Sequence, residues 1–316
     1  MTRDYRVAKL PGRLQIVATP IGNLADLSDR AREALAQADV IAAEDTRHTG
    51  ALLRTLGLDK PLVSLHEHNE AQRATGLLSR LAAGETVALV SDAGTPLLSD
   101  PGFELVRRAV EAGIPVSAIP GPSAITNALA VAGLPTDRFC FEGFLPARAS
   151  ERRAALGALA QERRTLVFFE APHRIVAALE DMAAELGADR QAVAAREMTK
   201  AHETIYRGTL GELAARARRE ATFARGEITL VVAGAAAAGV GAGAADPQLL
   251  RRAVELLSKE LPPGRVAAIV SQLTGASRAE AYALATRAAG RGKAKGEGRG
   301  EGDGEGRDEG TGEGEN

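Results

Sequence analysis

Five short apolar runs in the first 135 residues are each followed by a turn and an amphipathic stretch, and this alternation constrains the chain more than any other feature. The runs are Leu14–Ala18, Val40–Ala43, Leu62–Leu65, Val87–Val90 and Val116–Ile119. They are apolar at successive positions, so both faces of each strand need cover, as in a parallel sheet flanked by helices. Asp100 is the expected N-cap of one intervening helix, with Pro101 at its first position and Phe103, Val106 and Val110 on one face up to Gly113. Ser123 is expected to cap the next helix, whose stripe is Ile125, Ala128, Leu129 and Ala132, ended by Gly133. Residues 1–135 are thus expected to form an α/β domain with a mainly parallel sheet.

A second α/β domain is expected over 136–234. Phe139–Phe144 reads as a strand or extended linker, and further strands are expected at Thr165–Glu170, Ala192–Glu197, Thr204–Arg207 and Glu227–Ala233. Helices are expected near 150–162, 173–186 and 210–220, the last opened by Thr209 and Glu212 at capping-box spacing. Residues 235–245 read as a Gly/Ala linker, too poor in Leu, Ile and Val to span a membrane. Residues 246–290 carry short helical patterns that resemble a helix-turn-helix bundle. Gly alternating with charge over 291–316 reads as a disordered tail.

The formal net charge of the 316 residues is −2, which at first sight argues against a nucleic-acid binder. The distribution is uneven, however. Residues 291–316 hold eight Asp/Glu against five Lys/Arg, which leaves the rest of the chain at +1. Arginines cluster at Arg148, Arg152, Arg153, Arg163 and Arg164, at Arg216, Arg218, Arg219 and Arg225, and at Arg251 and Arg252. Each group reads equally as a solvated helix face balanced by Glu. Aromatics are 3% with no Trp, so base stacking cannot dominate any RNA recognition. One cysteine, Cys140, excludes an intramolecular disulfide and a Cys-rich zinc site. The N-terminal segment has no apolar core of a signal peptide, so a cytoplasmic location is expected.

No P-loop, H-E-x-x-H or G-x-S-x-G occurs, and GVGAG (239–243) does not join a strand to a helix. The informative loops are TPIGNL (19–24), AEDTRHT (43–49), SDAGTPLLSDPG (91–102) and IPGPSA (119–124). Each follows a predicted strand, and open α/β sheets bind ligands outside the carboxyl ends of their strands. His66 and His68 form H-x-H at a strand end without a partner cluster, so a cleft or surface role is expected rather than metal ligation. His173, between Pro172 and Arg174, either lines the cleft or caps the following helix.

With FFEAPHR (168–174), REMTKAHE (196–203) and GEITLVV (226–232), these loops make seven ordered motifs. Together they resemble the ribosomal RNA small subunit methyltransferase I family of tetrapyrrole methylase-like, class III methyltransferases, over residues 13–235. The C-terminal helical region resembles that family more loosely, and the tail lies outside its pattern. The resemblance implies two α/β domains with S-adenosylmethionine held in the cleft between them, plus the small helical domain. It implies cofactor contacts from Pro20, Ile21, Gly22, Asp92, Ala93, Gly94, Thr95, Ser123, Ala124, Ile125, Phe168 and Phe169.

The reaction it implies is 2′-O-methylation of a decoding-centre cytidine in small-subunit ribosomal RNA, with the ribosomal RNA or small subunit as partner and a homodimer as the assembly. A ribose hydroxyl is a weak nucleophile, so alignment and proton removal are needed. Glu44, Asp45, His48, His202 and Glu203 are candidate bases. Asp45, Arg47, His48, Lys200 and Glu203 are the favoured catalytic set, with Lys200 to lower the hydroxyl pKa or bind phosphate and Arg47 to hold a phosphate or base. Asp45 and Arg47 read equally as a capped helix start with a local ion pair. Two other functions fit less of the pattern: a small-molecule, tetrapyrrole-type methyltransferase, and a non-catalytic RNA-binding assembly factor.

Overall fold

The structure is a computed structural model that describes residues 12–236 and 247–296. The chain divides into two compact units, Met1–Ala235 and Ala236–Asn316.

The first half of the larger unit alternates strand and helix: β1 (Leu14–Val17), α1 (Asp29–Gln37), β2 (Val40–Ala43), α2 (Thr46–Thr55), β3 (Leu62–Ser64), α3 (Glu70–Ala82), β4 (Val87–Val90), α4 (Phe103–Glu111), β5 (Val116–Ile119) and α5 (Ala124–Ala132). The strands form one sheet in the order β3-β2-β4-β1-β5, and every pair is parallel. Alternation along each strand supplies two faces. Leu14, Ile16, Val40, Ala42, Val87 and Leu89 pack with Leu77 and Leu81 of α3 and Leu105 of α4. Val17, Ile41, Ala43, Ala88 and Val90 pack on the other side with Leu35 of α1 and Leu53 of α2. That double cover is why these strands are apolar at successive residues.

The helix α4 differs from its expected form. It starts at Phe103 with Gly102 as N-cap at φ 123°, and Asp100 does not cap it. The Glu70 carboxylate accepts from the Gly102 and Glu104 amides instead, at 3.1 and 2.6 Å. Its buried residues are Leu105 and Ala109, while Phe103 and Val110 are 68% and 62% exposed. The sequence offers apolar stripes at 103/106/110 and at 105/109, which at about 100° per residue lie roughly 120° apart around the helix. The stripe with the small Ala109 lets the helix axis approach the sheet.

The second half contributes β6 (Phe139–Phe144), α6 (Ala149–Ala158), β7 (Thr165–Glu170), α7 (Ile175–Leu186), β8 (Gln191–Arg196), β9 (Thr204–Thr209), α8 (Leu210–Arg219) and β10 (Ile228–Val232). Its sheet runs β6-β7-β10-β8-β9, with β6 parallel to β7 and the remaining pairs antiparallel. The expected capping box forms, with Thr209 and Glu212 bonding reciprocally at the start of α8. One face packs Leu166, Phe168, Ala194, Leu230 and Val232 against α7 and α8. The other packs Val167, Val193, Ala195 and Val231 against Ile125, Ala128, Leu129 and Ala132 of α5, with Ile21 and Met198 in the same cluster. The helix α5 thus fastens the first half to the second sheet.

The smaller unit holds α9 (Pro247–Leu257), α10 (Pro263–Thr274) and α11 (Arg278–Gly296) around Leu250, Val254, Val266, Val270, Ala281 and Ala285. Gly275 closes α10 in the left-handed region at φ 73°, and Ser277 Oγ accepts from the Glu280 amide. The helix α11 runs to Gly296, past the expected boundary at 290. The first eleven residues, 237–246 and 297–316 lie outside the described residues, and with them most of the expected linker and tail. No helix among the described residues is long and apolar enough to cross a membrane.

Candidate active site

Four loops leave the carboxyl ends of β1, β2, β4 and β5 and are bonded to one another. Thr19 and Gly94 exchange backbone hydrogen bonds at 2.9 and 3.0 Å, and the Thr19 hydroxyl donates to the Ser91 carbonyl at 3.2 Å. The Asp45 amide donates to Asp92 Oδ1 at 3.1 Å, and the Thr95 hydroxyl donates to the Pro122 carbonyl at 3.1 Å. A side chain at Gly94, whose φ is +83°, would be strained and would press on Ile21. These links set the loops as one rigid wall.

Between that wall and the second sheet lies a cavity of about 400 Å³. The first half lines it with Ile21, Glu44, Asp92–Thr95, Leu98–Asp100 and Ser123–Ile125. The second half lines it with Phe144, Phe169–Pro172, Met198 and Glu227–Thr229. Five lining residues are carboxylates (Glu44, Asp92, Asp100, Glu170 and Glu227), and none is Lys, Arg or His. Such a lining favours a cationic ligand.

The expected cofactor residues divide clearly. Ile21, Asp92, Ala93, Gly94, Thr95, Ser123, Ala124, Ile125 and Phe169 line the cavity. Pro20, Gly22 and Phe168 do not. Phe168 is wholly buried in the opposite core, because adjacent strand residues face opposite sides and Phe169 already faces the cavity. Gly22 lies under the Lys200 side chain, where an added Cβ would fall 2.3 Å from Lys200 Cγ.

None of Asp45, Arg47, His48, Lys200 and Glu203 lines the cavity. Asp45 caps α2 and forms an ion pair with Arg47 at 2.6 Å. The Arg47 guanidinium beside it holds the Asp45 carboxyl far below the usual range, which makes it a poor base. Arg47 is 90% exposed in its side chain, and His48 is exposed. Lys200 bridges Glu197 at 2.9 Å and Glu227 at 3.1 Å. Burial opposes its charge, but the two carboxylates outweigh burial and raise its pKa, so it stays an ammonium. Glu203 accepts from the Thr199 amide at 2.7 Å.

Sequence reasoning missed Asp100, Glu170 and Glu227 as lining groups. Their signal was a carboxylate beside an otherwise apolar strand or within a Gly/Pro turn. Burial raises the Glu44 pKa, with Asp92, Glu67 and Asp45 pushing the same way and a hydrogen bond from the Asp92 amide opposing. Burial pushes the Asp100 carboxyl up to about 6, with Glu44 and Asp92 adding to it and the Ser91 hydroxyl working the other way. Glu170 Oε1 pairs with Arg174 at 2.6 Å, while its buried Oε2 has no hydrogen-bond partner.

Among the described residues, Leu97, Ser99, Glu197 and Thr199 are the non-glycine residues at positive φ. Both pairs lie in turns that border this cavity. Such conformations cost about 1–3 kcal/mol each and persist only where the surroundings impose them.

The expected arginine patches are largely paired. Arg152 is buried against Asp181, and Arg148, Arg164, Arg216 and Arg218 pair with Glu151, Glu162, Glu220 and Glu180. His66 Nε2 lies 2.9 Å from Asn69 Nδ2, just before α3, and His173 is exposed.

Residues 13–214 match the tetrapyrrole (corrin/porphyrin) methylase family. The chain is 50% identical over 275 residues to a Xylella fastidiosa protein named ribosomal RNA small subunit methyltransferase I, covering 86% of this chain and 98% of that one. It is 49% identical to the Escherichia coli O157:H7 protein of the same name, covering 86% and 93%. A crystal structure of uroporphyrin-III-C-methyltransferase from Thermus thermophilus superposes with a TM-score of 0.51 at 23% identity, over 70% of this chain and 94% of that one. At that identity the superposition speaks for the fold.

Proposed function

Because the chain belongs to the tetrapyrrole (corrin/porphyrin) methylase family and, within it, to the ribosomal RNA small subunit methyltransferase I family, we propose that it methylates the ribose 2′-hydroxyl of a cytidine in the decoding centre of small-subunit (16S) ribosomal RNA, with S-adenosylmethionine as donor. The observation that carries the reading is the cavity lined by five carboxylates and no basic side chain.

That lining fits the donor's chemistry. The molecule carries a sulfonium and an ammonium, both cationic, and supplies a methyl group already activated for transfer. Glu44, Asp92 and Asp100 would face that charge. The amides of Ser123–Ile125, at the start of α5, would hold its carboxylate. The unpartnered Glu170 Oε2 would accept from an N–H or O–H of the donor, and Phe144 and Phe169 offer apolar walls. Rigid loops hold the reactants in line, which contributes up to ~7–11 kcal/mol in ideal cases.

Lys200 and Arg47, paired with carboxylates outside the lining, would supply cations for phosphates of the incoming RNA. With so many other arginines paired, affinity for RNA is expected to be modest and salt-sensitive. The exposed Phe103 and Val110 on α4 favour assembly as a homodimer.

The test is transfer of tritiated methyl from S-adenosylmethionine to small ribosomal subunits lacking the modification. Label in one cytidine ribose, located by mass spectrometry of nuclease fragments, is the expected result. Label in a tetrapyrrole and not in the subunits, or no binding of S-adenosylmethionine by calorimetry, would overturn the reading.

A further inference from the structure

We propose that the α9–α11 unit grips the RNA substrate by its phosphates, at a groove that Arg251 and Arg287 border from opposite walls. The proposal rests on the ribosomal RNA reading above and assigns the grip to a part of the chain outside the cavity.

Charge is divided unevenly between the two described parts. Residues 12–236 hold 25 Lys/Arg and 28 Asp/Glu, a net of −3, whereas residues 247–296 hold nine Lys/Arg and three Glu, a net of +6. In the larger unit many cations are also neutralised: Arg107, Arg152, Arg164, Arg174 and Lys200 all sit in ion pairs with carboxylates. A polyanion gains little from such pairs, because each must open before a phosphate can replace the carboxylate.

The small unit is built differently. Arg251, Arg252, Lys259, Arg265, Arg278 and Arg287 are all exposed. In chain order the ion pairs among the described residues stop at Arg218, so none of these six has one. Glu255 stands four residues after Arg251 and four before Lys259, the spacing that allows pairing on a helix, yet it joins neither.

The helices are held by a core of their own, in which Leu250 and Val254 of α9 pack with Val270 of α10 and Ala281 and Ala285 of α11. That packing leaves a groove of about 320 Å³ between α9 and α11, lined by Leu250, Arg251, Glu280, Ala283, Leu284 and Arg287. A guanidinium fork donates to two phosphate oxygens at once, and here two forks border one groove. Glu280 is the one acid in the lining, seven residues from Arg287 and so about 10.5 Å away along the helix. Tyr282, next to Ala283 in the chain, is 52% exposed and lies one turn after Arg278 on the same face. Its ring offers a stacking surface for an unpaired base beside a held phosphate. Exposed cations spread over three helices suit the repeated charge of a strand better than one small anion, since counterion release grows with each phosphate engaged.

The experiment measures binding of the full chain to unmethylated small ribosomal subunits across a potassium chloride series. Wild type is compared with the double variant Arg251→Ala/Arg287→Ala, the double variant Arg251→Lys/Arg287→Lys, and Glu280→Gln. The alanine pair is expected to raise Kd ~10-fold and to lower the slope of log Kd against log salt by about 2, one for each phosphate contact. The lysine pair should keep most of the slope, because it keeps the charge. Glu280→Gln should tighten binding about twofold, a gain that loss of a merely structural group would not give. Affinity for S-adenosylmethionine and the transfer rate at saturating subunits should be unchanged in all three. If the alanine pair loses helical circular dichroism, the lysine pair and Glu280→Gln decide the matter. A folded alanine pair with wild-type Kd and slope would overturn the proposal, as would wild-type affinity in Glu280→Gln. So would binding to phosphatidylglycerol vesicles that the alanine pair abolishes while subunit binding persists. A wild type that binds subunits through this groove but methylates none of them would instead sink the reading of the reaction.

Discussion

The turn at Leu97–Asp100 comes from the half with the parallel sheet, and the turn at Glu197–Lys200 from the half with the mixed sheet. Each carries two non-glycine residues at positive φ, and each lines the same cavity, the first with Leu98, Ser99 and Asp100 and the second with Met198. They treat charge in opposite ways. In the second turn burial disfavours the Glu197 carboxylate, but the Lys200 ammonium and the Glu227 amide overcome this and hold its pKa below the ordinary value. In the first turn nothing positive meets Asp100, and its pKa rises to about 6. Two turns of similar strain thus serve different ends. One closes a local ion-pair network that steadies Met198 against α5, and the other leaves a carboxylate unneutralised at the place where a cationic methyl donor is proposed to bind.

The largest effect should come from breaking the neutralised turn at its support. Gly22→Val puts a branched side chain where Lys200 Cγ already lies and forces a strained φ of +153°. Loss of about 3–5 kcal/mol of stability is expected, from backbone strain plus displacement of Lys200. Denaturant unfolding measures it, and cofactor affinity should fall at least ~10-fold with the disturbed TPIG loop. A variant of native stability and affinity would show that Lys200 does not need Gly22.

Lys200→Met tests the network more gently. It leaves the Glu197 carboxylate, 18% exposed in its side chain, without its cation. About 1–3 kcal/mol should be lost at pH 8. The sign with pH follows from the lowered Glu197 pKa: its contribution is present above the unfolded value and vanishes as pH falls through the folded one. Wild type and variant should therefore converge in acid. A constant gap from pH 8 to pH 4 would assign the loss to packing.

Most of the strand frame could be read from the residues, because β2 and β4 are apolar runs bounded by turn residues and buried on both faces. The cavity was half legible. Loops at parallel strand ends are local features, and Asp92–Thr95 and Ser123–Ile125 line the cavity as expected. What could not be read was non-local. Asp100-Pro101 has the composition of a helix start, and only the fold brings Glu70 to cap α4 in its stead. Phe168 and Phe169 are equivalent in composition, and only strand register decides which one faces the cavity. Asp45 and Arg47 looked catalytic because their motif is polar and lies at a strand end. Their side chains pair with each other there, outside the cavity lining.

Asp100→Asn should move stability the other way from Lys200→Met. The folded pKa of Asp100 lies above the unfolded value of 3.8, so ionisation costs the folded state as pH rises through that interval. The cost is absent below about pH 4 and complete above about pH 6. The uncharged variant should exceed wild type by roughly 1–2 kcal/mol at pH 8 and match it in acid. A variant less stable at pH 8 would place Asp100 among the structural carboxylates and erase the contrast between the turns.

The smallest effect should come from relieving the strain itself. Ser99→Gly and Thr199→Gly each remove a Cβ from a positive-φ residue, which favours the folded state by about 1 kcal/mol before the added freedom of the unfolded chain is subtracted. The net gain should be a few tenths of a kcal/mol. At Thr199 the removed hydroxyl is buried without a partner, so its loss adds to the gain. At Ser99 the hydroxyl rests against Gly143, so its loss loosens the contact that ties the first turn to the second sheet. Stability should therefore rise more in Thr199→Gly, while methyl transfer should slow more in Ser99→Gly, because Asp100 follows it in the chain. Equal kinetic losses in the two variants would mean that the turns act together as one clamp rather than as a support and a charged wall of the cavity.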